Sequence, residues 1–204
     1  MNTLRMIHQV VVHPYQFYND IQGKQRIRWI QGIAIVLLTF VARMISILIT
    51  GYAFQTREPH EISMFHEFIW LIVPWLTWCV SNWGVSTIMD GEGKFKEIFV
   101  GSAFALVPYM LFILPVTLLT LVLSLDEAST FNLLHKFVIL WVAWLILMKV
   151  KILHDFEIRK VIFITIISVI GIAIIWFVGI LLFGISNQFV SFIVDLLKEL
   201  RLRA

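Results

Sequence analysis

Asp90–Pro108 reads DGEGKFKEIFVGSAFALVP, and the order of its parts decides the fold. A charged turn with two glycines follows one long apolar segment, a short amphipathic run comes next, and a second long apolar segment begins near Val100. Paired glycines beside a lysine suggest a phosphate cradle. GEGKF, however, lacks the spacing of either nucleotide fingerprint and follows an apolar helix instead of a strand. The stretch reads instead as a turn and a surface helix over Lys94–Phe99 that joins two membrane-spanning helices. Gly101 and Ala105 are a small-xxx-small pair that lets a neighbouring helix approach closely. Pro108 and Pro115, seven apart, distort one side of the following span, whose freed carbonyls then need neighbours. That span is expected to be central. A docking surface, if the protein has one, is expected here, at Asp90, Gly91, Lys94 and Lys96.

The rest of the chain has the same character. Of its 204 residues 60% are hydrophobic and 14% charged, with a mean hydropathy of +0.90. Soluble domains are about 45–50% apolar and about 25% charged, and one core of this size cannot hide the excess, so lipid is the solvent. The net charge of +3 comes from scattered basic residues, which excludes a nucleic-acid groove. The one cysteine, Cys79, lies in an apolar segment and reads as a small buried hydrophobe.

Five spans are expected, at about 29–51, 68–89, 100–125, 131–153 and 161–185. Ahead of them, residues 1–28 form an interfacial segment, in which Leu4, Ile7 and Val11 share a face and Pro14 opens a second short helix carrying Phe17 and Ile21. The first apolar run is too long for the apolar part of a cleavable signal and is expected to remain as an anchor. Residues 186–204 form an amphipathic helix, with Phe189, Phe192, Ile193, Leu196, Leu197 and Leu200 on one face. The expected class is an all-α integral membrane protein, a bundle of five transmembrane helices with interfacial amphipathic helices at the N- and C-termini.

Polar residues inside the spans are the candidate sites. Arg43 lies about 12 Å from the end of its span, within reach of snorkelling or of a partner among Glu67, Asp126 and Glu127. Ser81, Asn82, Ser86 and Thr87 make half of the second span polar, as interhelical hydrogen-bonding glue. Pro74 is expected to kink that span. Trp70 and Trp83 suit the interfaces, while Trp75 and Trp78 pack on neighbours. Lys149 and Lys151 are expected to snorkel to headgroups. Gly171 and Gly179 mark one face of the fifth span for close packing, within the bundle or against another copy. His60, Glu61, His66 and Glu67 do not have the spacing of a helical zinc site, and neither a metal nor another cofactor is expected.

Under an N-in, C-out arrangement the inner segments hold Arg5, Lys24, Arg26, Arg28, Lys94, Lys96, Lys149, Lys151, Arg159 and Lys160. The outer ones hold only Arg57, Lys136, Lys198, Arg201 and Arg203. The excess of inner positive charge supports that orientation, with the C-terminal tail as the discordant segment.

Several short motifs add a family likeness. His13-Pro14 with Phe17 precedes the first span, and the charged glycine turn Gly91–Glu97 follows the second. Gly101, Phe104 and Ala105 lead to Pro108, and Trp144, Lys149 and His154 close the fourth span. In these features, over roughly residues 11–185, the chain resembles Yip-domain proteins, five-span membrane proteins named in eukaryotes for interaction with Ypt/Rab GTPases. The short N-terminal segment is similar to that of compact prokaryotic members and departs from the vesicle-trafficking ones, so a GTPase partner is not carried over.

The expected function is that of a polytopic membrane protein without enzymatic activity that organises or assists other membrane components, as a partner of another membrane protein or as a homo-oligomer. HExxH, GxSxG and paired intramembrane aspartates are absent. The alternative is a small transporter, channel or lipid-translocating protein that uses the polar interior around Arg43 and the second and third spans. A bacterial plasma membrane is the expected location.

Overall fold

The computed structural model describes residues 3–22, 27–55 and 57–203. Among them the regular structure is entirely helical. Two short helices, α1 (Thr3–Val12) and α2 (Pro14–Ile21), precede α3 (Trp29–Ile49) and α4 (Met64–Ile88). Then come α5 (Phe95–Phe104), α6 (Val107–Leu118), α7 (Ala128–Leu153) and α8 (Ile158–Arg203). Five segments are long and apolar enough to cross a membrane: Trp29–Ile49, Met64–Ile88, Phe95–Leu121, Leu125–Leu153 and Ile158–Glu199. The protein is therefore an all-α integral membrane protein.

The stretch around Pro108 differs from the sequence expectation in an informative way. The run after the glycine turn is not a separate surface helix. α5 begins at Phe95, buries Ile98, Phe99 and Val100, and forms the first half of the third span. Helix then stops at Phe104 and restarts at Val107, with Pro108 in the first turn of α6. The cause is local: Pro108 has no N–H to give the carbonyl of Phe104, four residues back. The Ala105 N–H still donates to the Gly101 carbonyl, four residues back, at 3.1 Å, and a tighter turn then fills the gap, with the Leu106 N–H donating to the Ala103 carbonyl, three residues back, at 3.0 Å. The third span is thus two helices, and it is central: α3 packs on both halves, α4 on α5, and α7 on both.

The N-terminal segment packs more deeply than the sequence reading implies. α1 and α2 form a hairpin tied by Gln9 Nε2 donating to Asp20 Oδ2 at 3.0 Å. Met6, Val10, Phe17, Tyr18 and Ile21 are fully buried in the main core, among residues of α3, α5, α6 and α7. Leu4, expected on the apolar face, is 74% exposed; the packed face is centred on Met6 and Val10. The hairpin therefore packs one apolar face on the bundle and leaves Leu4, Val12 and Tyr15 exposed on the other. Lys24 and Arg26, counted above for orientation, lie outside the described residues.

The third difference is at the far end. No break occurs near Ser186, because the expected C-terminal amphipathic helix is the continuation of the fifth span, and α8 runs for 46 residues, about 69 Å at 1.5 Å per residue. Only its beginning packs. Val161, Ile164 and Ser168 are buried one turn apart on the face toward α4, and Ser81 Oγ donates to the Ser168 carbonyl at 2.7 Å. Gly171 lets Ser81 approach, and Trp176 Nε1 donates to Thr77 Oγ1 at 3.3 Å. From Phe177 to Glu199 every residue is exposed, and nothing lies near Gly179.

Candidate functional site

Two polar assemblies lie inside the bundle, one toward each end. The first begins with Lys149 on α7, whose side chain is fully buried. Its Nζ donates to Asn82 Oδ1 on α4 at 2.8 Å and to Ser102 Oγ on α5 at 3.1 Å, and lies 5.5 Å from the centre of the Trp78 ring. No carboxylate pairs with it among the described residues. Gly101 makes room for it: a Cβ there would stand 3.2 Å from Lys149 Cγ and 3.3 Å from Leu153 Cδ1. Gly101, the first of the small-xxx-small pair, is thus where the lysine stem lies against α5. The expectation that Lys149 snorkels is corrected, because the headgroup-ward path is closed by His154 and the glycine turn, and the polar side of α4 offers the amine a nearer partner.

Those closing elements are two helix ends of the same design. α4 ends with Asp90 at φ 60° and the Gly91 N–H donating to the Ser86 carbonyl at 2.8 Å. α7 ends with Asp155 at φ 50° and the Phe156 N–H donating to the Lys151 carbonyl at 3.0 Å. Both are Schellman turns, with aspartate, which tolerates left-handed backbone, in the place glycine usually takes. They face each other across His154. A Cβ on Gly91 would meet His154 Nδ1 at 2.6 Å, and one on Gly93 would meet Cε1 at 2.6 Å. Both glycines are therefore required by contact with the imidazole. The Gly93 N–H donates to Nδ1 at 3.2 Å, which makes Nδ1 the acceptor and places the ring proton on Nε2. Burial, and then the charge of Lys149, push the His154 pKa down to about 4. The amide nitrogen of Asn82, Ser86 Oγ, Ser168 Oγ and His154 Nε2 are buried without a hydrogen-bond partner. The polar half of the second span thus forms a continuous polar seam with α7 and α8.

The second assembly is centred on Glu67, whose side chain is 3% exposed. Arg43 Nε and Nη2 reach its Oε2 at 2.8 and 2.6 Å, and Arg57 Nη1 reaches Oε1 at 2.6 Å. Of the three carboxylates that sequence offered to Arg43, the structure selects Glu67. Glu127 instead accepts from the Ser124 N–H at the start of its own helix. The neighbouring histidines are occupied locally, His66 by the Trp70 indole and His60 by Glu58. No group able to hold a metal occurs among the described residues.

The structure thus brings Asn82, Gly91 and Gly101 together around Lys149 and His154, leaves Asp90 at the turn and Lys94 exposed beside it, and sets Arg43 apart. Lys96 is half-buried, and Pro108 marks the break in the third span. Several of the residues quoted for the family likeness meet in pairs inside the bundle. The Phe17 ring packs on that of Phe104 at 5.1 Å, Gly101 on Lys149, and Gly91 and Gly93 on His154. The family model described as the Yip1 domain matches residues 9–181, from within α1 to within α8.

The chain belongs to the Yip1 domain family. No curated protein and no solved structure matches it. The Yip1 domain match spans all four of the motifs quoted for the likeness. Phe17 and Phe104 belong to the main core, in which the N-terminal hairpin, the divided third span and the end of α7 meet, and the match ends at residue 181. It stops in α8 shortly after Trp176, the last residue of that helix with a hydrogen bond to α4.

Proposed function

We propose that this Yip1-domain protein works without catalysis, by organising or assisting other components of the membrane. The observation that carries the reading is the far part of α8. A hydrocarbon layer about 30 Å thick needs roughly 20 helical residues, and α8 has 46. Beyond Phe177 its exposed Phe189, Phe192, Leu196 and Leu197 have no neighbour in the chain. A helix with a large apolar stripe and no internal partner gains stability by covering that stripe, against a second protein, another copy or the membrane surface. The charged groups inside the bundle are held by other side chains of the chain, Lys149 by Asn82 and Ser102 and Glu67 by Arg43 and Arg57, which suits a scaffold. The reading includes a bacterial plasma membrane, from the likeness to compact prokaryotic members, with the N-terminus cytoplasmic and the C-terminus extracytoplasmic, an orientation the distribution of Lys and Arg supports.

The test is co-purification of the full chain after mild solubilisation of the native membrane, beside a chain ending at Ser186. A defined component in fixed stoichiometry, lost with the tail, is the expected result. Equal recovery of a solitary monomer from both would overturn the proposal.

A further inference from the structure

At the end of the bundle opposite the glycine turns, α3 and α7 each pack on α6 but make no extensive contact with one another. α6 is therefore the back wall of a cleft of about 410 Å³, flanked by the two other helices and roofed by the loop that follows α3. The Phe54 and Phe131 rings, 5.5 Å apart, join that roof to α7.

The lining carries more positive charge than its carboxylate neutralises. Arg43 and Arg57 both face the cleft, and both bind the single carboxylate of Glu67, whose two oxygens are thereby engaged. One formal positive charge remains. A guanidinium has five N–H donors; Glu67 takes two from Arg43 and one from Arg57, and among the described residues no other carboxylate pairs with either. Tyr109 lies against Arg43 and also lines the cleft. His135, on the opposite wall, has a buried Nδ1 with no hydrogen-bond partner. The site therefore combines two guanidinium forks, a phenol, an imidazole and an unbalanced charge, in a space large enough for a small ester.

We propose that this cleft binds a phosphate group, carried by a phospholipid headgroup or by a soluble phosphate ester. A tetrahedral oxyanion accepts from several directions, as donors on separate walls require, and paired guanidinium groups recognise it by charge-assisted hydrogen bonds. The reading does not depend on what covers α8.

The test uses the full chain, delipidated in a neutral detergent, with melting temperature and native mass spectrometry as readouts. One arm adds short-chain phosphatidylglycerol, the other inorganic phosphate and glycerol phosphate. A saturable rise in melting temperature of several degrees, with a bound mass, is expected in at least one arm. A response to phosphatidylglycerol alone assigns the site to lipid, and a response in both arms assigns it to the phosphate itself. Arg57→Gln, on the more exposed arginine, should weaken binding at least tenfold, and His135→Ala should weaken it without touching the ion pair. No saturable response in either arm, or unchanged affinity in both variants, would overturn the proposal.

Discussion

Replacing Asn82 by leucine removes the shorter of the two hydrogen bonds made by Lys149 and keeps nearly the same side-chain volume. It leaves a buried ammonium with one neutral acceptor, a loss on the order of 2–4 kcal/mol. Lys149→Met strands only the amide. The double variant should therefore be more stable than Asn82→Leu alone, with a coupling of at least ~1 kcal/mol; additive effects on melting temperature in detergent would show that the pair is not a unit. His154 makes a pH prediction. Its folded pKa of about 4 lies below the ordinary value near 6.5. Between those values the unfolded chain binds a proton that the folded chain does not, so stability rises with pH across that window. The contribution is complete above about pH 6.5 and is lost as pH falls toward 4, by roughly 3 kcal/mol at most. The melting temperature should drop between pH 7 and pH 5, and His154→Asn, which keeps an acceptor near the Gly93 N–H, should flatten the slope.

Helix by helix, glycine spacing divides into positions that pack and positions that do not. Gly101→Leu drives side-chain atoms into Lys149 and Leu153, and Gly171→Leu drives them into Ser81; Gly179→Leu meets nothing. The first two should lower folded yield and cost about 1–3 kcal/mol, whereas the third should stay within about 0.5 kcal/mol. A loss of stability at Gly179 equal to that at Gly171 would contradict the helix pairing described here. This contrast also shows what was legible in the sequence. Apolar length is a property of each segment by itself, so five spans, the turn after Met89 and the need for neighbours around Pro108 could be read directly. Arg43 could be given three partners because carboxylates in this chain are few. Lys149 could not be placed, because burial depends on what closes the exit, and the closing residues, His154 and Gly93, lie on two different helix ends. The polar run Ser81, Asn82 and Ser86 was the available signal: glue of that kind implies a polar group opposite it. Gly171 and Gly179 look alike in sequence, and only the divergence of α8 from α4 separates them. The amphipathic pattern after Ser186 was correctly periodic, but periodicity cannot tell a new helix from the continuation of an old one.

Taken whole, the protein is a packed bundle with one long arm, and the two parts should be separable. A chain ending at Ser186 should keep the melting temperature of the full chain to within a few degrees, since no residue from Phe177 to Glu199 is buried; a collapse of folded yield would mean that the arm supports the bundle. The opposite end of the chain is tightly bound, and this has a consequence for how the molecule is made. The face carrying Phe17, Tyr18 and Ile21 finds its site only when Phe104 and the end of α7 are in place. At synthesis rates of about 5–20 residues per second, the hairpin waits on the order of ten seconds after leaving the ribosome. During that interval its apolar face has only the lipid surface or the insertion machinery to rest on. A segment translated ahead of the five spans is thus among the last parts of the domain to reach its final position, and its docking closes the assembly of the domain.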